Sequence, residues 1–128
     1  MMRTGKFSRV RTAVLLAPVV ALLLGGSLLE GHAVLKDSSP MVNGTVEGPD
    51  VPIRLHYNVR VDAALSKLEL LNPDQSTSSL AIGKQPAPDT LMSEAKGLKP
   101  GAYKIRWQVL APDGHITRGE VPFTVKGS

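Results

Sequence analysis

Ile53-Arg54-Leu55-His56-Tyr57-Asn58-Val59-Arg60-Val61 changes character at every residue, Ile, Leu, Tyr and Val alternating with Arg, His and Asn. Successive side chains of an extended chain point to opposite faces, so this stretch offers one face to a core and one to water. Three more stretches repeat the pattern. Leu68 and Leu70 alternate with Lys67 and Glu69, and Tyr103, Ile105, Trp107 and Val109 with Lys104, Arg106 and Gln108. Val121, Phe123 and Val125 alternate with Glu120, Pro122, Thr124 and Lys126. Strands of this kind belong to antiparallel sheets with one solvated face. Turn chemistry separates them at Ser39-Pro40, Asn43-Gly44, Gly48-Pro49, Asn72-Pro73-Asp74, Lys99-Pro100-Gly101 and Pro112-Asp113-Gly114. Shorter apolar pieces at 33–35, 80–82 and 90–92 supply further strands, while 76–79 reads as a polar loop and 63–65 as one helical turn. About seven short strands over residues 32–128 predict an all-β fold, a Greek-key β-sandwich or barrel of Ig-like or cupredoxin-like type. Pro122 lacks an N–H and is expected at an edge or a bulge.

Upstream of the strands the chain changes kind. Residues 1–12 carry Arg3, Lys6, Arg9 and Arg11 and no acid, and Ala13 to Leu24 then run without a charge. That apolar run is inside the roughly 7–15 residues of a secretory signal's centre and short of the ~20 that span a bilayer. Gly25, Gly26 and Ser27 end it. Residues 1–31 are therefore expected to be a cleaved signal peptide and 32–128 the mature domain, which places the protein in the periplasm. Gly31 suits the position before a cut, although Leu29 is larger than the small-residue pattern prefers. Cleavage there makes His32 the first mature residue.

Charge and composition then narrow the function. The 128-residue chain has a formal net charge of +4. Residues 32–128, however, hold 11 basic and 10 acidic side chains, a net charge of +1. The basicity belongs mostly to the leader, and the case for nucleic acid as a partner goes with it. A hydrophobic share of 42% against 20% charged residues excludes an extended disordered chain. The chain has no cysteine, which removes disulfides, thiolate metal sites and thiol nucleophiles. Motifs for serine hydrolases, phosphate-cradling loops, H-E-x-x-H zinc sites and calcium loops are missing as well.

What remains is a histidine–carboxylate pair and a terminus. Asp113-Gly114-His115 lies between the last two strong strands. Side chains at i and i+2 of an extended chain point the same way, so a carboxylate and an imidazole can converge on one ion. Alone, the tripeptide also reads as an ordinary hairpin turn. His32 adds to it, because a mature N-terminal histidine carries both an α-amine and an imidazole, which can close a chelate on one metal. His32, Asp113 and His115 together offer three nitrogens and one oxygen. Such ligands suit Cu(II), with zinc as the competing ion. A blue-copper centre needs a cysteine, and a soft Cu(I) site finds only the isolated Met41 and Met92 after the leader. His56, on the outward face of its strand, is expected to make cross-strand surface pairs.

These residues bear a family resemblance. His32-Ala33-Val34-Leu35, Ser38-Ser39-Pro40 with Gly44, and Ile53-Arg54-Leu55-His56-Tyr57 resemble the CopC/PcoC family of periplasmic copper-binding proteins. So does the run Gly101-x-Tyr103-x-Ile105-x-Trp107, followed by Asp113-Gly114-His115 and Gly119-x-x-x-Phe123-x-Val125. The resemblance implies one Cu(II) ion held by the amine and imidazole of His32 with Asp113 and His115. It implies a carrier or buffer in copper resistance or homeostasis, not an enzyme. The family's methionine-rich Cu(I) loop has no counterpart, since residues 72–90 contain no Met. Some relatives continue into a membrane copper-transport domain. This chain stops at Ser128 and is expected to be free-standing, with no membrane span after cleavage. Its implied partners are copper and an inner-membrane transporter of the CopD type or another periplasmic copper protein.

Two other classes compete. An N-terminal His chelate with a second His also resembles the copper brace of lytic polysaccharide monooxygenases. Against it, Asp113 takes a position that an oxygen-activating site keeps open, and Trp107, Tyr57, Tyr103 and Phe123 all fall on inward faces. A plain Ig-like interaction module is the third reading, with Asp113-Gly114-His115 only a turn.

Overall fold

The computed structural model describes residues 32–127, and the leader expected over residues 1–31 lies outside them. Among the described residues the strands are β1 (Leu35–Ser39), β2 (Gly44–Glu47), β3 (Val51–Tyr57), β4 (Lys67–Leu71), β5 (Thr77–Leu80), β6 (Thr90–Ala95), β7 (Gly101–Leu110) and β8 (Ile116–Lys126). Ala63–Leu65 forms the expected single turn, a 3₁₀ turn capped by the Asp62 carboxylate, which accepts from the N–H groups of Ala64 and Leu65. The strands build two sheets, one in the order β1-β3-β6 and one in the order β2-β8-β7-β4-β5. The sheets stay separate, so the architecture is a sandwich rather than a closed barrel.

The alternation that decides the fold is realised along β3 as far as Tyr57, while residues 58–61, also expected to be extended, lie beyond the end of the strand. Val51, Ile53, Leu55 and Tyr57 are buried, while Pro52 and Arg54 are exposed and His56 is half-buried. Facing them from the larger sheet are Leu68 and Leu70 of β4, Tyr103, Ile105, Trp107 and Val109 of β7, and Val121, Phe123 and Val125 of β8. Burying a side chain of this size contributes roughly 1.5–3 kcal/mol. These four alternating strands supply most of the buried apolar side chains among the described residues. All four aromatic side chains of β3, β7 and β8 lie in this core. Tyr57 meets Trp107 edge-on at 5.2 Å, and Tyr103 stacks on Phe123 at 5.6 Å.

The structure departs from the sequence-based expectation at the sheet edges. β5 occupies most of the stretch expected to be a polar loop, pairing with β4 while Thr77, Ser78 and Ser79 stay exposed. An edge strand whose first three residues are all wet has no alternation to reveal it, and only Leu80 at its end reaches the core. β2 follows the Asn43-Gly44 turn directly and pairs with β8 in parallel, so the sheets are not wholly antiparallel. Pro122 sits inside β8, in a strand that has neighbours on both sides. Its position is nonetheless explained, because β2 pairs with β8 only from Phe123 onward. The missing N–H falls where that side of β8 is still uncovered, and the Pro122 carbonyl accepts from Asn43 N–H at 2.6 Å.

Two features of this topology position the candidate site. β1 begins opposite the end of β3, at the pair Leu35–Tyr57, which sets His32 at one end of the smaller sheet. β7 and β8 pair from Gly101–Val125 to Leu110–Ile116, which sets residues 111–115 at one end of the larger sheet.

Candidate metal centre

The loop between β7 and β8 is a closed turn with a built-in side-chain brace. Ala111 N–H donates to the His115 carbonyl and Gly114 N–H to the Ala111 carbonyl, both at 3.0 Å. Gly114 takes φ of +90°, a conformation that costs a residue without a Cβ little. The Asp113 carboxylate closes the turn. Its Oδ1 accepts from His115 N–H at 3.0 Å, and its Oδ2 lies 2.7 Å from Nδ1 of the His115 ring. Hydrogen bonding from that ring, and next from that N–H, holds the Asp113 carboxyl below the ordinary carboxylate range. Asp113 is thereby kept as an anion, and it fixes which way the His115 ring presents itself. Nδ1 is engaged, and Nε2 is the nitrogen left to face outward. Metal-binding imidazoles are commonly held by a carboxylate in this manner.

His32 completes the group from the other sheet. It is exposed, precedes β1, and its ring stacks on His115 with centroids 4.8 Å apart and planes 25° from parallel. Asp113 also feels the charge of His32. All three expected site residues thus meet at one end of the sandwich, two from the β7–β8 loop and one from the start of the smaller sheet. The side chains are neighbours and do not form a finished cage. Among the described residues, no three His, Asp or Glu side chains already converge on a single metal position. His115 is 62% exposed at its side chain, so the Asp113 contact and the His32 stack hold its ring, and exchanging the Asp113 contact would let it turn. The donor types (two imidazoles and a carboxylate, with no sulfur) fit a divalent ion that accepts nitrogen and oxygen.

His56 lies outside this group, as the sequence suggests. It points outward from β3 between two carboxylates, with Nδ1 2.8 Å from Asp37 Oδ2 and Nε2 3.2 Å from Asp89 Oδ2. Arg54 adds a contact to Asp37 at 3.3 Å. Asn58 is a neighbour of the site that sequence reading misses. Its side chain binds the segment bearing His32, and an asparagine just after a strand gives no sign of such a task. Among the described residues, no helix is long and apolar enough to cross a membrane.

Comparison with known proteins agrees with this architecture. The family model described as the CopC domain matches residues 35–126, a span that includes Asp113 and His115 and begins just after His32. Protein YobA of Escherichia coli (strain K12) is 30% identical over 98 residues, covering 74% of this chain and 79% of that protein. Copper resistance protein C of Xanthomonas campestris pv. juglandis is 28% identical over 128 residues, covering 94% and 98% of the two chains. Among solved structures, CopC from Methylosinus trichosporium OB3b superposes with a TM-score of 0.69 at 29% identity, covering 74% of this chain and 94% of that one. A domain match over nearly all of the described residues, on the same two-sheet sandwich, places this chain in the CopC family.

Proposed function

We propose that this protein binds one Cu(II) ion in the periplasm and serves as a copper carrier or buffer in copper resistance or homeostasis. The observation that carries the reading is the meeting of His32, Asp113 and His115 at one end of the sandwich, with the His32 ring stacked on that of His115. Family membership supports copper as the cargo, and one relative is itself named a copper resistance protein. Residues 1–31 act as the export signal, and their removal after Gly31 frees the α-amine of His32. His32 then offers its amine and a ring nitrogen, and His115 offers a ring nitrogen as its ring turns off Asp113. The Asp113 carboxylate so released offers an oxygen and a compensating negative charge. The absence of sulfur donors favours Cu(II), which heads the affinity order at nitrogen and oxygen sites.

No chemistry on a substrate is assigned. Trp107, Tyr57, Tyr103 and Phe123 are all buried, which leaves none of them to form a flat aromatic surface for sugar beside the histidines. The bound ion is released to an inner-membrane copper transporter of the CopD type or to another periplasmic copper protein. Titration of the exported protein with Cu(II), followed by electron paramagnetic resonance, tests the reading. One ion per chain with nitrogen coupling is expected. His115→Ala should weaken binding by more than the roughly 10–100-fold typical of losing a mere orienting partner. Lack of stoichiometric Cu(II) binding would remove copper from the account and leave an Ig-like module.

A further inference from the structure

His32 precedes the first strand, so the ladder between β1 and β3 does not hold it. That ladder starts at Leu35, paired with Tyr57. Among the described residues, the hydrogen bonds recorded for the backbone of His32, Ala33 and Val34 all run to Asn58, the residue that follows β3. Val34 N–H donates to Asn58 Oδ1 at 2.7 Å, and Asn58 Nδ2 donates to the His32 carbonyl at 3.2 Å. Asn58 N–H donates in turn to the Val34 carbonyl at 3.0 Å. A primary amide offers one acceptor and two donors in a plane, which lets this one side chain act as a short piece of strand. Ala33, buried between the exposed His32 and Val34, packs the same segment against the core.

We infer that Asn58 is a positioning residue for the metal site, holding the backbone of His32 so that its amine and ring face His115. The inference rests on the proposed copper site. The amine and the ring of His32 both hang from one Cα, and the carbonyl that Asn58 grips is attached to that same atom. Fixing the carbonyl restricts both donors together. Without the grip, the segment ahead of Leu35 loses both of its side-chain hydrogen bonds and keeps the Asn58–Val34 backbone bond, the packing of Ala33 and the stack of His32 on His115. The ligand pair must then be ordered at the moment of binding, which lowers affinity.

The test compares Asn58→Ala with the parent, both exported and processed to begin at His32. In the metal-free proteins, hydrogen exchange at the Val34 amide should be faster in the variant, while core amides of β3 and β7 keep their protection. Competition titration should show Cu(II) binding roughly 10–100-fold weaker, as for loss of a partner that orients a ligand. Asn58→Leu, which keeps the volume without the hydrogen bonds, should behave in the same way. A further pair carries one extra residue ahead of His32, which turns the amine into an amide. There Asn58→Ala should cost less than it does in the processed pair, because one of the two donors it places is already gone. Equal affinity of Asn58→Ala and parent, or an equal loss in the extended pair, would overturn the inference alone. Absence of copper binding by the parent would overturn the proposed function as well, and is read directly from the parent's own titration.

Discussion

The imidazole of His56 bridges Asp37 of β1 and Asp89 of the loop before β6, and so ties both neighbours of β3 to it. Hydrogen bonding to Asp37 is the largest influence on the ring and raises its pKa above the ordinary 6.5, against some desolvation, with Asp89 adding to the rise. Asp37 is lowered below 3.8 chiefly by His56, and Asp89 chiefly by the Thr90 hydroxyl. The signs are opposite and the windows overlap. The His56 contribution is complete below the unfolded imidazole value and fades as pH rises through the raised one. The carboxylate contributions are complete above the unfolded carboxylate value and fade as pH falls. Metal-free His56→Gln should therefore lose more melting temperature relative to the parent near pH 5.5 than near pH 8.5. A gap that stays constant between those pH values would show that the bridge carries no titratable stability. Residue chemistry of this sort is only half legible in a sequence. The outward position of His56 follows from alternation, but its partners depend on which strands flank β3. Asn58 is harder still, since its role exists only because the start of β1 lies against the end of β3.

Among the elements, the β7–β8 ladder is the longest among the described residues, running from Gly101–Val125 to Leu110–Ile116. Trp107 pairs with Gly119 across it, the indole buried and Gly119 half-buried. A Cβ on Gly119 would run into the indole ring of Trp107 itself. Gly119→Ala should force the ring or the strand to move, costing about 1–3 kcal/mol as overpacked cores do. Denaturant unfolding checks this, and an unchanged midpoint would contradict the packing. Trp107 also lies against Tyr57 of the opposite sheet, so the disturbance reaches across the core. β3, β4, β7 and β8 are readable from sequence because each buries one face and wets the other. β2 and β5 are not, since pairing partners and not side chains make them strands. Parallel pairing of β2 with β8 is a property of topology that local pattern does not encode.

At the scale of the whole molecule, the two sheets each bring part of one site. The smaller sheet brings His32 and the larger brings Asp113 and His115, and the strand order sets both at the same end. Residue types alone suggest which side chains could share a metal, but only the fold brings them to stacking distance. If copper binds across this seam, it should join the sheets and raise the melting temperature by mass action, an effect that disappears on adding a chelator. The affinity should also fall as pH drops, because protons compete for the amine and imidazole nitrogens. All of this depends on His32 being first in the mature chain. The most direct measurement is the Cu(II) affinity of the exported protein, with its N-terminus sequenced, against the same protein carrying one added residue ahead of His32. The account predicts a mature chain that begins at His32 and binds one ion, and much weaker binding with fewer coordinated nitrogens in the extended form. Equal affinity in the two forms, or a mature chain beginning elsewhere that binds just as well, would contradict it.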